Sequence, residues 1–260
     1  QLMRLGIGEI VAVDDDHMEE RNVNRIINAT MGDAINGLNK AHVARDAINR
    51  AGLGTKVIAI AENLWNPDVI RQVAQCDVVF GCMDSIDGRF LLNLLATYYT
   101  IPYFDVGIRL DAVPDGQDKG RIRAICGSVH YLQPGRSSLM SRGMFNMEQV
   151  AAAGLYRKDK NAYQDQLDAG YISGVAERRP AVISVNMFAS SLMVNEFLAR
   201  LHPYRFGPNN AFAKVEFSLS DMELYLEPEE GVCKILSSYV GHGDKSPLLG
   251  LSELAERKAA

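Results

Sequence analysis

A short β-branched run, Ile10 to Val13, stops abruptly on three consecutive aspartates, Asp14, Asp15 and Asp16. Apolar runs of that length fill parallel sheets, whose two faces are both covered by helices. The arrangement recurs down the chain. Lys56 to Ala61 (KVIAIA), Asp77 to Phe80 (DVVF) and the YFDVG run from Tyr103 read as further strands. Helical stretches separate them. AHVARDAINRA after Lys40 places Val43, Ala44, Ala47 and Ile48 on one face and stops at Gly52; Asn66 to Gln75 carries Pro67 in its first turn; Arg89 to Tyr99 is rich in leucine and alanine. Strands and helices alternating in this way predict an α/β fold, a doubly wound, Rossmann-like, mostly parallel sheet.

Beyond Ile108 the pattern changes. RIRAICGSVHYLQPG alternates as an antiparallel hairpin does and ends at Pro134 and Gly135, which predicts an antiparallel extension of the sheet. Met140 to Val175 is polar, glycine-punctuated and weakly helical, and a segment of that length is commonly either a functional crossing loop or disordered. Pro180 to Leu201 reads as a buried helix, Ala213 to Leu226 as one or two further strands, and the first residues, QLMRLGIGEI, as the end of a helix closed at Gly6.

Composition narrows the function. With 27 basic and 32 acidic residues among 260, the net charge is −5, which argues against a general nucleic-acid surface. No apolar run approaches the roughly 18 residues of a membrane span, and no basic, apolar, small-residue leader is present. The expectation is a cytoplasmic protein with no membrane partner. Four cysteines with no close pair do not make a disulfide framework.

An acid at the carboxyl end of a strand in a nucleotide-binding α/β unit can accept hydrogen bonds from a ribose, because ligands occupy the crevice beyond the strand ends. Asp14 stands there. Downstream, Asn22, Arg25 and Lys40 supply an amide, a planar guanidinium fork and a mobile ammonium, the donors a polyphosphate requires. Asp16 is better placed to support the loop than to touch a ligand. Asp84 follows a buried strand and precedes a helix, so its carboxylate is expected at the same edge of the sheet as that of Asp14. Its other reading is a helix cap.

The pattern DxDxxxxxNxxR, present as Asp14, Asp16, Asn22 and Arg25 and followed by Lys40, resembles the ThiF/MoeB/HesA family, the adenylating fold shared with ubiquitin-activating enzymes. CMDSIDGRFLLN, Cys82 to Asn93, is similar to that family's C-x-D-x-x-x-x-R-x-x-x-N segment, and YFDVG agrees with it. The resemblance implies ATP-dependent adenylation of the C-terminal carboxylate of a small ubiquitin-like or sulfur-carrier protein. It gives Asp14 the ribose, Asn22, Arg25 and Lys40 the phosphates, and Asp84 the magnesium on ATP. It also implies a homodimer. On this reading residues 1–135 form the nucleotide-binding part, 136–182 the crossing loop that covers the carrier's tail, and 183–260 a helix, antiparallel strands and tail of the same domain. The strand and glycine-rich phosphate loop that precede the first helix in that family have no counterpart in the sequence, so the chain as given is expected to bind nucleotide poorly.

Two family features are absent from the expected positions. Many relatives hold structural zinc with two C-x-x-C pairs; here the first reads SSLMSRG, with Ser138 and Ser141, and the second leaves Cys233 and Leu236, so no zinc is expected. Nor does the crossing loop contain a cysteine for a thioester step. Cys76 and Cys82 read as packed thiols, with Cys126 the other candidate nucleophile. These departures keep open a second function, a non-catalytic partner subunit or scaffold of the same fold. A dehydrogenase would account for Asp14 but not for Arg25, Lys40 or CMDSIDGR.

Overall fold

The computed structural model describes residues 1–113, 120–175 and 182–255. The chain divides into two compact units, one comprising Gln1–Cys76, Ala181–Asn195 and Lys245–Ala260 and the other Asp77–Pro180 and Glu196–Asp244. Among the described residues no helix is long and apolar enough to cross a membrane.

In the first unit a single 3-10 turn, Leu2–Leu5, ends at Gly6 in the left-handed region and leads into strand β1 (Glu9–Val13). Two short helices, α1 (Glu20–Val23) and α2 (Met31–Ile35), precede the longer α3 (Lys40–Ala51). Asn39 caps α3 by accepting the Ala41 and His42 amides, and Gly52 at φ 68° ends it, a backbone conformation that favours glycine. The inner face of α3 centres on Ala41 and Val43; Ala47 and Ile48 are half-buried and Ala44 is left in solvent. Strand β2 (Lys56–Ile60) then pairs in parallel with β1, Glu9 opposite Lys56 and Val13 opposite Ile60. Helix α4 (Pro67–Val73) starts on Asn66, which accepts the Asp68 amide, and buries Val69, Ile70 and Val73.

The second unit opens with β3 (Val79–Gly81), α5 (Ile86–Tyr99) and β4 (Tyr103–Ala112), β3 and β4 being parallel. Nearly every residue of α5 is buried, as its leucine content predicts. Strand β5 (Ile122–Leu132) runs antiparallel to β4 from Tyr103 opposite Leu132, with a register shift at Asp111/Ala112. The stretch expected to be a crossing loop folds in part into α6 (Met147–Lys158) and α7 (Lys160–Asp168), Asp159 ending one and capping the next. Helix α8 (Ile183–Leu201) gives its residues up to Asn195 to the first unit and the remainder to the second. Strands β6 (Lys214–Ser218) and β7 (Glu223–Glu227) complete the sheet, whose order is β3-β4-β5-β6-β7.

The parallel pairings are therefore β1–β2 and β3–β4, and the antiparallel extension consists of β5, β6 and β7. The core of the second unit includes Phe80 stacked on Phe104 at 5.2 Å, with Phe197 edge-on to both. At the sheet's rim all five residues of β7 face solvent, Leu224 56% and Leu226 51% exposed.

Candidate functional site

The acidic turn at the end of β1 is built by backbone groups. Asp14 extends the pairing one residue beyond β1 through its N–H to Ile60 O at 3.2 Å, after which the chain bends. Its carboxylate then accepts the Asp16 N–H at 2.9 Å, closing a local turn of the kind aspartate favours. Asn39, buried, fastens this turn to the start of α3: its Nδ2 donates to Asp14 O at 2.7 Å and Asp16 O at 3.1 Å, while its Oδ1 caps the helix. The neighbouring Lys40 follows automatically. Its N–H donates to Asp16 O at 3.0 Å and its Nζ to Asp16 Oδ2 at 2.6 Å.

The structure thus brings Asp14, Asp16 and Lys40 together. Asp14 is half-buried, and that burial raises its carboxyl above the usual value; the Asp16 amide and the Lys40 ammonium oppose the rise, and the charges of Asp16 and Asp15 add to it. Asp15 is exposed and accepts from Asn63 Nδ2 at 2.7 Å. Asn22, buried, is committed at its Oδ1 to the Glu19 N–H at 3.0 Å, half of a capping box at the start of α1; no described residue takes its Nδ2. Arg25, half-buried just past α1, donates from Nη1 to Arg21 O, and no described group ties it to Asp14.

Asp84 belongs to the second unit. It is exposed on the turn between β3 and α5, and no described residue pairs with its carboxylate. The cap of α5 is Ser85, whose Oγ accepts the Gly88 N–H at 3.2 Å, so the capping role open to Asp84 is taken by its neighbour. A free carboxylate fits one ligand position of a hard cation such as magnesium. The rest of CMDSIDGRFLLN is structural. Arg89 forks onto Asp105, donating Nε–H to Oδ1 at 3.1 Å and Nη2–H to Oδ2, and Tyr103 donates its hydroxyl to the same carboxylate at 2.7 Å. Asp105 is 0% exposed, and beside it the fully buried Tyr103 phenol is held well above its usual range. Asn93 accepts the Leu139 N–H at 2.9 Å, tying α5 to the segment after the β5 turn.

Sequence reasoning missed Asn39 and Asp105. An asparagine immediately before a helical run is a cap signal and was there to read; no local pattern gives Asp105 its partner across a sheet. Cys82 presents an exposed surface while its surroundings are dense, and burial together with the Asp105 charge pushes its thiol up to about 11. It is protonated at neutral pH and a poor nucleophile.

The donor set does not fit zinc. Ser138 and Ser141 bond to each other's amides, Ser138 N to Ser141 Oγ at 2.8 Å and Ser141 N to Ser138 Oγ at 3.1 Å. Cys233 and Leu236 are buried, and one thiol among these four positions cannot make a tetrahedral thiolate site. Arg178 and Arg179, which read in the sequence first as a solvated pair and second as a contact for a substrate tail, lie outside the described residues.

Comparison with known proteins places these features in context. The model of the ThiF family matches residues 1–225. The chain is 30% identical over 102 residues to the adenylyltransferase and sulfurtransferase UBA4 of Meyerozyma guilliermondii, a match covering 39% of this chain and 23% of that protein. It is 31% identical over 121 residues to the SAMP-activating enzyme E1 of Haloferax volcanii, 44% of each chain. The matches thus span less than half of either curated relative. Among solved structures, E. coli MccB with AMPCPP and MccA superposes with a TM-score of 0.61 at 15% identity, over 90% of this chain and 60% of that one. A likeness at that identity concerns the fold.

Proposed function

The chain belongs to the ThiF family, and from that premise we propose that it catalyses ATP-dependent adenylation of the C-terminal carboxylate of a small ubiquitin-like or sulfur-carrier protein. The observation that carries this reading is the turn at the end of β1, where Asn39 holds Asp14 and Asp16 by their carbonyls and sets Lys40 beside them. Asp14 takes the ribose, and Asn22, Arg25 and Lys40 take the phosphates. A carboxylate oxygen of the carrier attacks the α-phosphorus, the bond to the bridging oxygen breaks, and pyrophosphate leaves. Negative charge then grows on the departing group, and fixed cations lower that barrier. Asp84 would supply an oxygen ligand to the magnesium that accompanies ATP, whose charge would offset that of the phosphates.

Lys40 is paired with Asp16, but the Asp16 side chain is 71% exposed. Pairs of that kind contribute about 0–1 kcal/mol, so a polyphosphate can take the lysine over. Likeness to UBA4, an adenylyltransferase and sulfurtransferase, supports the adenylation, and likeness to a SAMP-activating enzyme supports a substrate of the carrier kind. The reading extends to a homodimer in the cytoplasm.

A second reading, a non-catalytic partner subunit of the same fold, is favoured by one observation: both clamp cations already have protein partners, Lys40 in Asp16 and Arg25 in the Arg21 carbonyl. Pyrophosphate exchange on the full-length protein, with ATP, magnesium and candidate carriers, separates the two. Exchange that is lost in Arg25→Ala with the fold intact supports catalysis; no exchange with any carrier and no ATP binding supports the scaffold.

A further inference from the structure

The last turn of α6 reaches the first turn of α5. Arg157 donates Nε–H to Asp87 Oδ2 at 2.7 Å, and Asp87 is 2% exposed. The other oxygen of Asp87 accepts the Gly88 N–H at 3.0 Å, the amide that Ser85 also caps. Asp84 therefore sits one residue before a cap and three before a buried carboxylate whose charge is balanced from the crossing segment. Gly88 is packed so closely that a Cβ there would lie 2.5 Å from the Met83 methyl and 2.7 Å from Ser85 Oγ. Ser85 and Asp87 share the Gly88 amide, which ties the start of α5 together.

We infer that Arg157 is a positioning residue for Asp84, acting through Asp87, so that the helix pair α6–α7 sets the geometry of the magnesium-binding turn. The inference rests on the adenylation reading for what Asp84 does, but the coupling itself is a statement about this ion pair. A buried carboxylate that loses its cation cannot stay where it is: it takes up a proton or turns toward water. Turning breaks the Asp87–Gly88 bond and leaves the Gly88 N–H to Ser85 alone, which loosens the cap that adjoins Asp84. Arg89 does not substitute for Arg157, because its guanidinium is committed to Asp105. The crossing segment has its own closure: Tyr163 packs edge-on to Tyr156 at 5.1 Å and accepts the Val175 N–H at 2.8 Å. Displacing α6 strains the Arg157–Asp87 pair and so bears on the turn that carries Asp84.

The experiment compares wild type, Arg157→Ala and Arg157→Lys in the full-length protein by two readouts. Amide hydrogen exchange of residues 84–89, without nucleotide, is expected to quicken about tenfold in Arg157→Ala and to be largely restored in Arg157→Lys, which keeps a cation at the carboxylate. The magnesium concentration giving half-maximal pyrophosphate exchange is expected to rise about tenfold in Arg157→Ala and only two- to threefold in Arg157→Lys. Unchanged amide protection in 84–89 for Arg157→Ala overturns the coupling. So does a melting point that falls in Arg157→Ala while the magnesium requirement of the folded protein stays at the wild-type value, since that is the behaviour of a purely structural pair. If wild type shows no pyrophosphate exchange with any carrier, it is the adenylation reading that fails, and the amide protection still decides whether Arg157 holds the turn.

Discussion

Charged residues in the two units behave in opposite ways. At the end of β1 the groups are half-buried or exposed: Asp16 and Lys40 form a solvated pair and Asp14 keeps part of its hydration. In the second unit, apart from surface groups such as Asp84, two clusters are buried and multiply bonded. Arg89 meets Asp105, and Arg142 donates to Glu229, Ser137, Tyr131 O and Ala213 O, with His130 Nδ1 at 3.4 Å. Removing one member of a buried pair leaves a charge in a poor solvent, whereas a solvated pair exchanges partners at little cost. The first arrangement suits ligand exchange and the second suits rigidity, although the sequence shows the same residue types in both.

The contrast breaks most visibly at Asp105. Asp105→Asn leaves Arg89 with a neutral partner and is expected to destabilise the protein by about 3–5 kcal/mol, read by denaturant unfolding. A loss under about 1 kcal/mol would place Arg89 in the exchangeable class. Lys40→Met reverses the pattern. It should change stability by less than about 1 kcal/mol and lower pyrophosphate exchange about 100-fold, since it removes a cation required as charge moves to the leaving group.

One titrating group in each unit has an opposite effect on stability with pH. Burial, with Arg142, Arg89 and Lys214 nearby, holds His130 well below the usual 6.5, so the unfolded chain binds its proton more readily. Stability from this group is present above pH 6.5 and is lost as pH falls below it, by at most about 1.4 kcal/mol per pH unit. His130→Gln should flatten that slope in melting curves taken below pH 6.5. Asp14 has the opposite sign. Its folded value is raised above 3.8, so its charge weakens the fold as pH climbs through and beyond that value. Asp14→Asn, which can still accept the Asp16 amide, should stabilise the protein at pH 7 by roughly 0.5 kcal/mol, discounted for solvent screening, and by less at pH 4. Melting points at the two pH values read this out.

Much of the fold was legible because it is local. The β-branched runs ending at Asp14 and Gly81, the glycine stop at Gly52 and the leucine-rich α5 are patterns within a dozen residues. The partners of Arg89, Asn93 and Arg157 were not legible, because each is fixed by how strands and helices stack across long sequence separations. Arg89 and Asn93 sat in a recognisable motif, yet their work is to hold Asp105 and Leu139. The crossing segment read as weakly helical because α6 is rich in alanine without a clear apolar face; its order comes from contacts such as Arg157 with Asp87.

The rim strand β7 has a consequence for anyone who handles the purified protein. Among the described residues no strand pairs with the outer edge of β7, where Leu224 and Leu226 face solvent between the charged Glu223 and Glu227. The two glutamates that flank the leucines guard this short edge against another strand, so replacing either with a neutral residue is the change to avoid in concentrated stocks.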